Sequence, residues 1–109
     1  TTKLEARKHY ILSGSRAAGE LQVDAGAARA LAHGGSLLPA GLVQVSGEFE
    51  RGDTVRVVGP NARPLAVGMS SYPAADLAQL CGQQSAQIET ILGYTFGDEI
   101  IHRNNMVLV

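Results

Sequence analysis

Glycines divide the stretch from Asp24 to Tyr72 into segments so short that only a small helix and short β-strands fit between them. Asp24 can cap a helix by accepting hydrogen bonds from its first free N–H groups, and Gly34 suits the left-handed residue that ends such a helix. Alternating apolar residues then predict three strands, over 42–46, 54–58 and 64–71. We therefore predict a mainly β domain with short helices, folded as a compact, partly closed β-barrel.

Turn residues suggest how these strands pair. The turn at 50–53, in which Gly52 is free to adopt a positive φ, predicts a hairpin between the strands at 42–46 and 54–58. Gly68 interrupts the third strand, which predicts either a bulge or the close approach of another backbone. That strand places Leu65, Val67 and Met69 on one face.

The flanking regions add shorter elements to the same domain. Residues 20–23 alternate, so we expect a half-buried strand with Leu21 and Val23 directed inward. Phe49 follows the parity of Val43 and Val45 and is expected in the core. Later elements are predicted as helices from Pro73 and from Ser85, then strands over 99–102 and 106–109 around a turn at 103–105.

Length and composition limit the class of protein. The chain has 109 residues, the size of one domain, with 45% hydrophobic and 17% charged residues, as in a globular protein. No apolar run approaches the ~20 residues that cross a bilayer, so no membrane contact is expected. The single cysteine, Cys81, excludes a disulfide within the chain and favours the cytoplasm. The start at Thr1, without Met, fits a domain cut from a longer protein.

Charge is nearly balanced overall but unevenly distributed. The net charge is −1 at pH 7, whereas dedicated nucleic-acid-binding domains usually carry a basic excess. Residues 1–30 are mildly basic, with Lys3, Arg7, Lys8, Arg16 and Arg29, and residues from Ala74 onward are mildly acidic. Such a division suits docking to a protein partner or to another domain at least as well as binding to RNA.

No residue pattern indicates a catalytic or metal site. The three histidines, His9, His33 and His102, lack the spacing of metal ligands, so no metal is predicted. Gly34-Gly35-Ser36 does not match a phosphate-binding glycine motif and fits a turn that ends a helix better. Cys81 lies on an apolar helical stripe and is expected to be an inert, buried thiol. Tyr10, beside Arg7 and Lys8, is a candidate to stack on RNA, although packing of the leading segment onto the barrel is favoured over stacking.

Spaced motifs along most of the chain resemble those of a known family. They are Asp24-x-Gly26-Ala27, Ser36-Leu37-Leu38-Pro39-x-Gly41 and Val45-x-Gly47-x-Phe49-x-Arg51-Gly52-Asp53, followed by Gly68 and Tyr72. Together they resemble the PUA domain, a small pseudo-β-barrel that contacts RNA in other proteins. The flanking motifs Arg7-Lys8-x-Tyr10-Ile11-Leu12, Ser85-x-x-Ile88-x-x-Ile91-Leu92-Gly93-Tyr94 and Ile101-His102-Arg103-x-Asn105-Met106 resemble the C-terminal PUA domain of bacterial glutamate 5-kinases. Tyr10, Pro73 and Asn104 depart from the usual pattern of that family.

The resemblance implies a longer parent protein. Residues 1–15 would be a leading segment from a preceding amino-acid-kinase domain, and residues 16–109 the PUA domain. The parent would use ATP and Mg²⁺ to phosphorylate the side-chain carboxylate of L-glutamate in proline biosynthesis, with proline as feedback inhibitor. No catalytic residue and no cofactor would belong to these 109 residues. The resemblance implies the parent's own kinase domain and a homo-oligomer as partners.

By analogy with other PUA domains, RNA is the alternative partner. The surface that would contact RNA, or another partner, follows the first helix: Arg16, Arg29, Gly34, Gly35, Ser36 and Pro39.

Overall fold

The computed structural model describes residues 17–109. The predicted leading segment 1–15, with His9 and Tyr10, and the candidate site residue Arg16 lie outside the described residues. The fold and contacts that follow are therefore those of residues 17–109. No helix in this part of the chain is long and apolar enough to cross a membrane.

One mixed β-sheet with short helices forms the domain, as predicted. Its strands are β1 Gly19–Val23, β2 Leu42–Gly47, β3 Thr54–Val58, β4 Pro64–Met69 and β5 Met106–Leu108. The α-helices are α1 Ala25–Ala32, α2 Ala74–Leu80 and α3 Ile88–Leu92, with 3₁₀ turns at Pro39–Gly41, Ser85–Gln87 and Arg103–Asn105. Helix α2 begins after Pro73 and α3 ends at Gly93, in agreement with the sequence pattern.

Strand order corrects the predicted hairpin. The order is β2-β1-β3-β4-β5, with β1 and β3 parallel and the other neighbours antiparallel. Leu21 in the middle of β1 pairs with Val45 of β2 on one side and Val57 of β3 on the other. The turn at 50–53 does form, but β1 lies between the strands that it connects. The prediction of a hairpin between β2 and β3 was therefore wrong.

The C-terminal region holds one strand where two were predicted. Only β5 is a strand, and it pairs with β4 rather than with residues 99–102. Ile101 makes a single bridge to Leu37, and the Ile100 carbonyl accepts a hydrogen bond from the Ser71 N–H at 2.8 Å. Ile100 and Ile101 are both fully buried, so this segment crosses the core instead of continuing along a sheet edge.

Small residues on the inner face of β4 make room for this crossing segment. Leu21 and Val23 of β1 are fully buried on the sheet, as predicted. In β4 the inner residues are Ala66 and Gly68, while Leu65, Val67 and Met69 share the outer, half-buried face. A Cβ on Gly68 would lie 2.8 Å from Ile101 Cγ2 and 3.0 Å from the Asn105 carbonyl oxygen, which confirms the predicted close approach.

The inward positions predicted from the alternation along β2 do not match the observed burial, although Phe49 is in the core as predicted. Val43 is 54% exposed, whereas Phe49 is only 5% exposed. The reason is that β2 is an edge strand, and the chain turns at Gly47, with φ +88°, before it reaches Phe49. The strand parity therefore does not extend to Phe49.

Two ends of the sheet carry different connections. At the end where β1 begins, the loop 48–53, the start of α2 and the loop 93–98 meet; we call this the acidic end, after the carboxylates of these segments. At the other end, where β1 stops at Val23, helix α1 lies beside the turn at 59–63 between β3 and β4; we call this the α1 end.

Candidate interaction surfaces

Helix α1 is capped at both ends by groups that the sequence predicted. Asp24 Oδ1 accepts a hydrogen bond from the Ala27 N–H at 2.8 Å. At the other end the Gly35 N–H reaches the Ala30 carbonyl at 2.9 Å, the Gly34 N–H reaches the Leu31 carbonyl at 3.0 Å, and Gly34 has φ +84°. Both glycine N–H groups are therefore used to end the helix. This supports a turn, and not a phosphate cradle, at Gly34-Gly35.

Ser36 joins this turn to a segment far away in sequence. Its Oγ accepts a hydrogen bond from the Arg103 N–H at 2.9 Å, and the next residue, Leu37, exchanges main-chain hydrogen bonds with Ile100 and Ile101. This places Arg103 beside the candidate surface, although the sequence did not indicate it. The two residues are 67 positions apart, so no local pattern could have revealed their contact.

The candidate site residues do not converge on one groove. Gly34 and Gly35 line a groove of about 370 Å³ that also includes Arg103 and Asn104. Arg29 lines a separate groove of about 300 Å³ with Arg63. Ser36 lines a third, smaller groove between α1 and the 3₁₀ turn that follows it.

Pro39, the last candidate, has a structural position. It is buried at the first position of its 3₁₀ turn, where its carbonyl accepts a hydrogen bond from the Gly82 N–H at 3.1 Å. Since the ring is covered and the carbonyl is used, Pro39 offers little to a partner.

Three exposed arginines surround α1. Arg29 lies in the last turn of the helix, Arg63 lies in the β3–β4 turn, and Arg103 lies beside Gly35. Within residues 17–109, none of the three forms an ion pair with a carboxylate. Arg63 was not predicted either, because it approaches Arg29 only through the pairing of β3 with β4. The α1 end can therefore present cationic groups to an anionic partner.

Tyr72 organises the opposite, acidic end. Its ring is fully buried, and its hydroxyl donates to the Gly97 carbonyl at 2.6 Å and accepts from the Phe96 N–H at 2.9 Å. Tyr94 in the same loop donates its hydroxyl proton to the Asp76 carboxylate in the first turn of α2. The hydrogen bond and the negative charge of Asp76 raise the pKa of Tyr94 above its ordinary value. The loop 93–98 is thus fixed against the domain from two sides.

An exposed aromatic pair lies on this loop among carboxylates. Tyr94 and Phe96 are each 41% exposed, with ring centroids 5.2 Å apart, and the Arg51 guanidinium carbon lies 4.0 Å from the Phe96 centroid. This is a cation–π contact, which holds Arg51 over the ring. The segments that meet at this end also carry the carboxylates of Glu48, Glu50, Asp53, Asp76 and Asp98.

His102 and Cys81 make contacts within the domain. His102 Nδ1 accepts the Asn104 N–H at 3.0 Å, and its Nε2 lies 3.8 Å from Glu99 Oε1. Cys81 is half-buried behind α2, its Sγ donates to the Leu77 carbonyl at 3.5 Å, and burial raises its pKa. Within residues 17–109, no group of three His, Cys, Asp or Glu side chains could hold a metal ion.

Comparison with known proteins identifies the fold family. The model of the PUA domain family matches residues 19–92. A PUA domain from Aeropyrum pernix K1, solved as a tartrate complex, superposes with a TM-score of 0.58 and 29% identity over 78% of this chain and 41% of that one. The chain belongs to the PUA domain family.

The chain also resembles one part of full-length glutamate 5-kinases. It is 50% identical over 109 residues to the glutamate 5-kinase of Deinococcus radiodurans, a match that covers 99% of this chain and 30% of the relative. It is 46% identical over 110 residues to that of Trichlorobacter lovleyi, covering 29% of the relative. The chain thus spans less than a third of the curated relatives that it matches, and it corresponds to their PUA domain portion.

Proposed function

We propose that this PUA domain is a non-catalytic module of a glutamate 5-kinase that acts by docking to protein. The parent would transfer the ATP γ-phosphate to the side-chain carboxylate of L-glutamate, with Mg²⁺, in a preceding amino-acid-kinase domain. In this proposal the module sets the orientation of that domain or the contacts of a homo-oligomer, and through them the response to proline. The parent would be a cytoplasmic enzyme.

The observation that carries the docking role is the composition of the acidic end. Exposed aromatic rings next to an arginine are the side chains most enriched at protein–protein contacts, and here Tyr94, Phe96 and Arg51 form one contiguous group. Hydrogen bonds from Tyr72 and Tyr94 hold the loop that carries the rings in place, so little ordering entropy would be lost when a partner binds.

The test uses the complete kinase with this chain as its PUA portion. We expect removal of residues 17–109 to change the specific activity, the proline concentration for half-inhibition or the oligomeric mass. A matched pair of full-length variants separates the two ends of the domain. Glu48→Lys/Glu50→Lys alters the acidic end, and Arg29→Glu/Arg63→Glu alters the α1 end by the same number of charges. If the truncated kinase matches the intact one in all three measurements, the proposed role is wrong.

RNA binding at the α1 end is the second candidate. Its support is the group formed by Arg29, Arg63 and Arg103, none of which has a carboxylate partner within residues 17–109. A related fold occurs in a chain of an H/ACA ribonucleoprotein bound to a substrate RNA, with a TM-score of 0.54 and 20% identity over 56% of this chain and 19% of that one. That likeness concerns the fold, and fold alone is a weak argument for function.

Titration of the 109-residue chain with a structured RNA tests this candidate. Phosphate contacts predict an affinity that falls as salt rises, because counterions are released on binding. Arg29→Glu/Arg63→Glu should weaken binding, whereas Arg56→Glu should not, since Arg56 is on the outer face of the sheet and 3.7 Å from Glu20. Binding that ignores both salt and the first variant would exclude this surface as the RNA site.

A further inference from the structure

The excess of negative charge in the described domain lies at the acidic end. Residues 17–109 contain nine Asp and Glu residues against five arginines and no lysine, an excess of four negative charges. Five of the nine carboxylates, those of Glu48, Glu50, Asp53, Asp76 and Asp98, lie at the acidic end with Arg51 alone. Elsewhere in these residues four carboxylates are balanced by four arginines. The whole excess is therefore found at the acidic end.

The described part of the chain begins at this same end. The Ala18 N–H donates to the Thr54 carbonyl at 2.8 Å, and the Ala18 carbonyl oxygen lies 2.7 Å from the position that a Cβ on Gly47 would occupy. Thr54 and Gly47 flank the loop 48–53 on both sides. Ala18 therefore lies directly beside the loop that carries three of these carboxylates.

Residues 1–16 have the opposite charge. Lys3, Arg7, Lys8 and Arg16 against Glu5 give a net charge of +3. Sixteen extended residues can span about 50 Å, and the domain measures 39 × 29 × 24 Å. The length is therefore more than sufficient to cover the acidic end, and the net charges are opposite in sign and nearly equal in magnitude.

Apolar groups match as well. The exposed rings of Tyr94 and Phe96 provide the apolar part of the surface, and Tyr10-Ile11-Leu12 provides an apolar stretch just after the basic pair Arg7-Lys8. We propose that residues 3–16 dock on the acidic end of their own chain, with the basic side chains on the carboxylates and the apolar stretch against the aromatic pair. The interaction needs only this chain. It would cover the rings that the proposed function assigns to a protein partner, so the segment and that partner would compete for the acidic end.

A spin label at residue 6, next to the basic pair Arg7-Lys8, tests this contact. The variant Ala6→Cys in a Cys81→Ser background carries one nitroxide, and the amide signals of the chain report its distance by paramagnetic broadening. We expect strong broadening at residues 48–53 and 94–98 and none on α1. The broadening should be lost in 1 M NaCl, where the screening length falls to about 3 Å, and in Glu48→Lys/Glu50→Lys.

A control separates a specific surface from general charge attraction. Arg29→Glu/Arg63→Glu makes the domain more negative at the α1 end, so attraction by net charge would add broadening there, whereas docking on the acidic end leaves the pattern unchanged. Diffuse broadening that salt and the acidic-end variant do not alter would overturn the proposal, as would broadening centred on α1. Broadening that grows with protein concentration would also overturn it, because a second copy would then be the donor of the segment.

Discussion

The hydroxyl of Tyr72 is the single group whose removal should weaken the acidic end most clearly. It donates to the Gly97 carbonyl at 2.6 Å and accepts from the Phe96 N–H at 2.9 Å, and its ring is fully buried. Tyr72→Phe keeps the ring in the core and its contact with Phe96, where the centroids are 5.3 Å apart. The hydroxyl also lies 3.2 Å from Thr95 Oγ1, a third and longer contact. The substitution therefore tests the hydrogen bonds of this hydroxyl and little else.

The expected loss follows from the number of partners. Each net hydrogen bond contributes about 1 kcal/mol, so the two shorter ones, to Gly97 and Phe96, predict a fall of about 2 kcal/mol in the free energy of unfolding. Phe96 and Gly97 are exposed residues, so water can partly replace the lost hydroxyl and prevent the larger penalty of a buried group left unsatisfied. With a slope of about 1–3 kcal/mol per molar urea, the midpoint should fall by roughly 1 M.

Urea unfolding of the 109-residue chain measures this loss, and amide hydrogen exchange locates it. The substitution should raise the exchange rate at Phe96 more than the exchange rates in β1 or β3, because the loop 93–98 can open locally once its anchor is removed. Tyr94→Phe is the comparison: it also removes one hydroxyl, but the hydrogen bond lost, to Asp76, is exposed to water, so the midpoint should fall by less. If Tyr72→Phe shifts the midpoint no more than Tyr94→Phe does, Tyr72 does not anchor the loop.

Three further substitutions or reactions test other contacts. Asp24→Ala should cost about 1 kcal/mol in urea unfolding by removing the cap of α1, while Asp24→Asn keeps an acceptor and most of the stability; equal losses would contradict capping. Gly68→Ala should cost about 1–3 kcal/mol because its Cβ would lie 2.8 Å from Ile101 Cγ2. Its control, Gly26→Ala in α1, meets no atom nearer than 3.4 Å and should stabilise by up to about 1 kcal/mol. In the folded chain Cys81 should react with iodoacetamide more slowly than it does in the unfolded chain. Its reaction rate should rise only above the ordinary thiol pKa, because burial raises the pKa of Cys81. Identical pH–rate profiles for folded and urea-unfolded chains would refute this.

Features that depend on a few neighbouring residues were predictable from the sequence. The cap at Asp24 and the left-handed ends at Gly34 and Gly93 require only the residue type and the turn that follows. Even the close approach at Gly68 was indicated, because a glycine inside an apolar strand leaves space that another backbone can fill. What the sequence did not indicate is which backbone approaches Gly68, since that segment is distant along the chain.

Features that depend on distant pairing were not predictable in the same way. The turn at 50–53 has hairpin chemistry, but nothing in it shows that β1 lies between the strands on either side. The contacts of the candidate site residues were unpredictable for the same reason. Arg29 is separated from Gly34 by the geometry of α1, and it meets Arg63 only because β3 and β4 pair. Arg103 reaches the site through a hydrogen bond to Ser36 that joins residues 67 positions apart.

The fold places two interaction surfaces far enough apart to act separately. Strand β1 separates the acidic end from the α1 end by five residues, or about 16 Å. This exceeds the screening length of about 8 Å at physiological salt, so exposed charges at one end have little effect on ligands at the other. A domain with a negative net charge can therefore still present arginines to an anionic partner at α1. For the same reason, docking of residues 3–16 at the acidic end would leave the α1 surface open, so RNA binding at α1 can be tested independently of whatever occupies the acidic end.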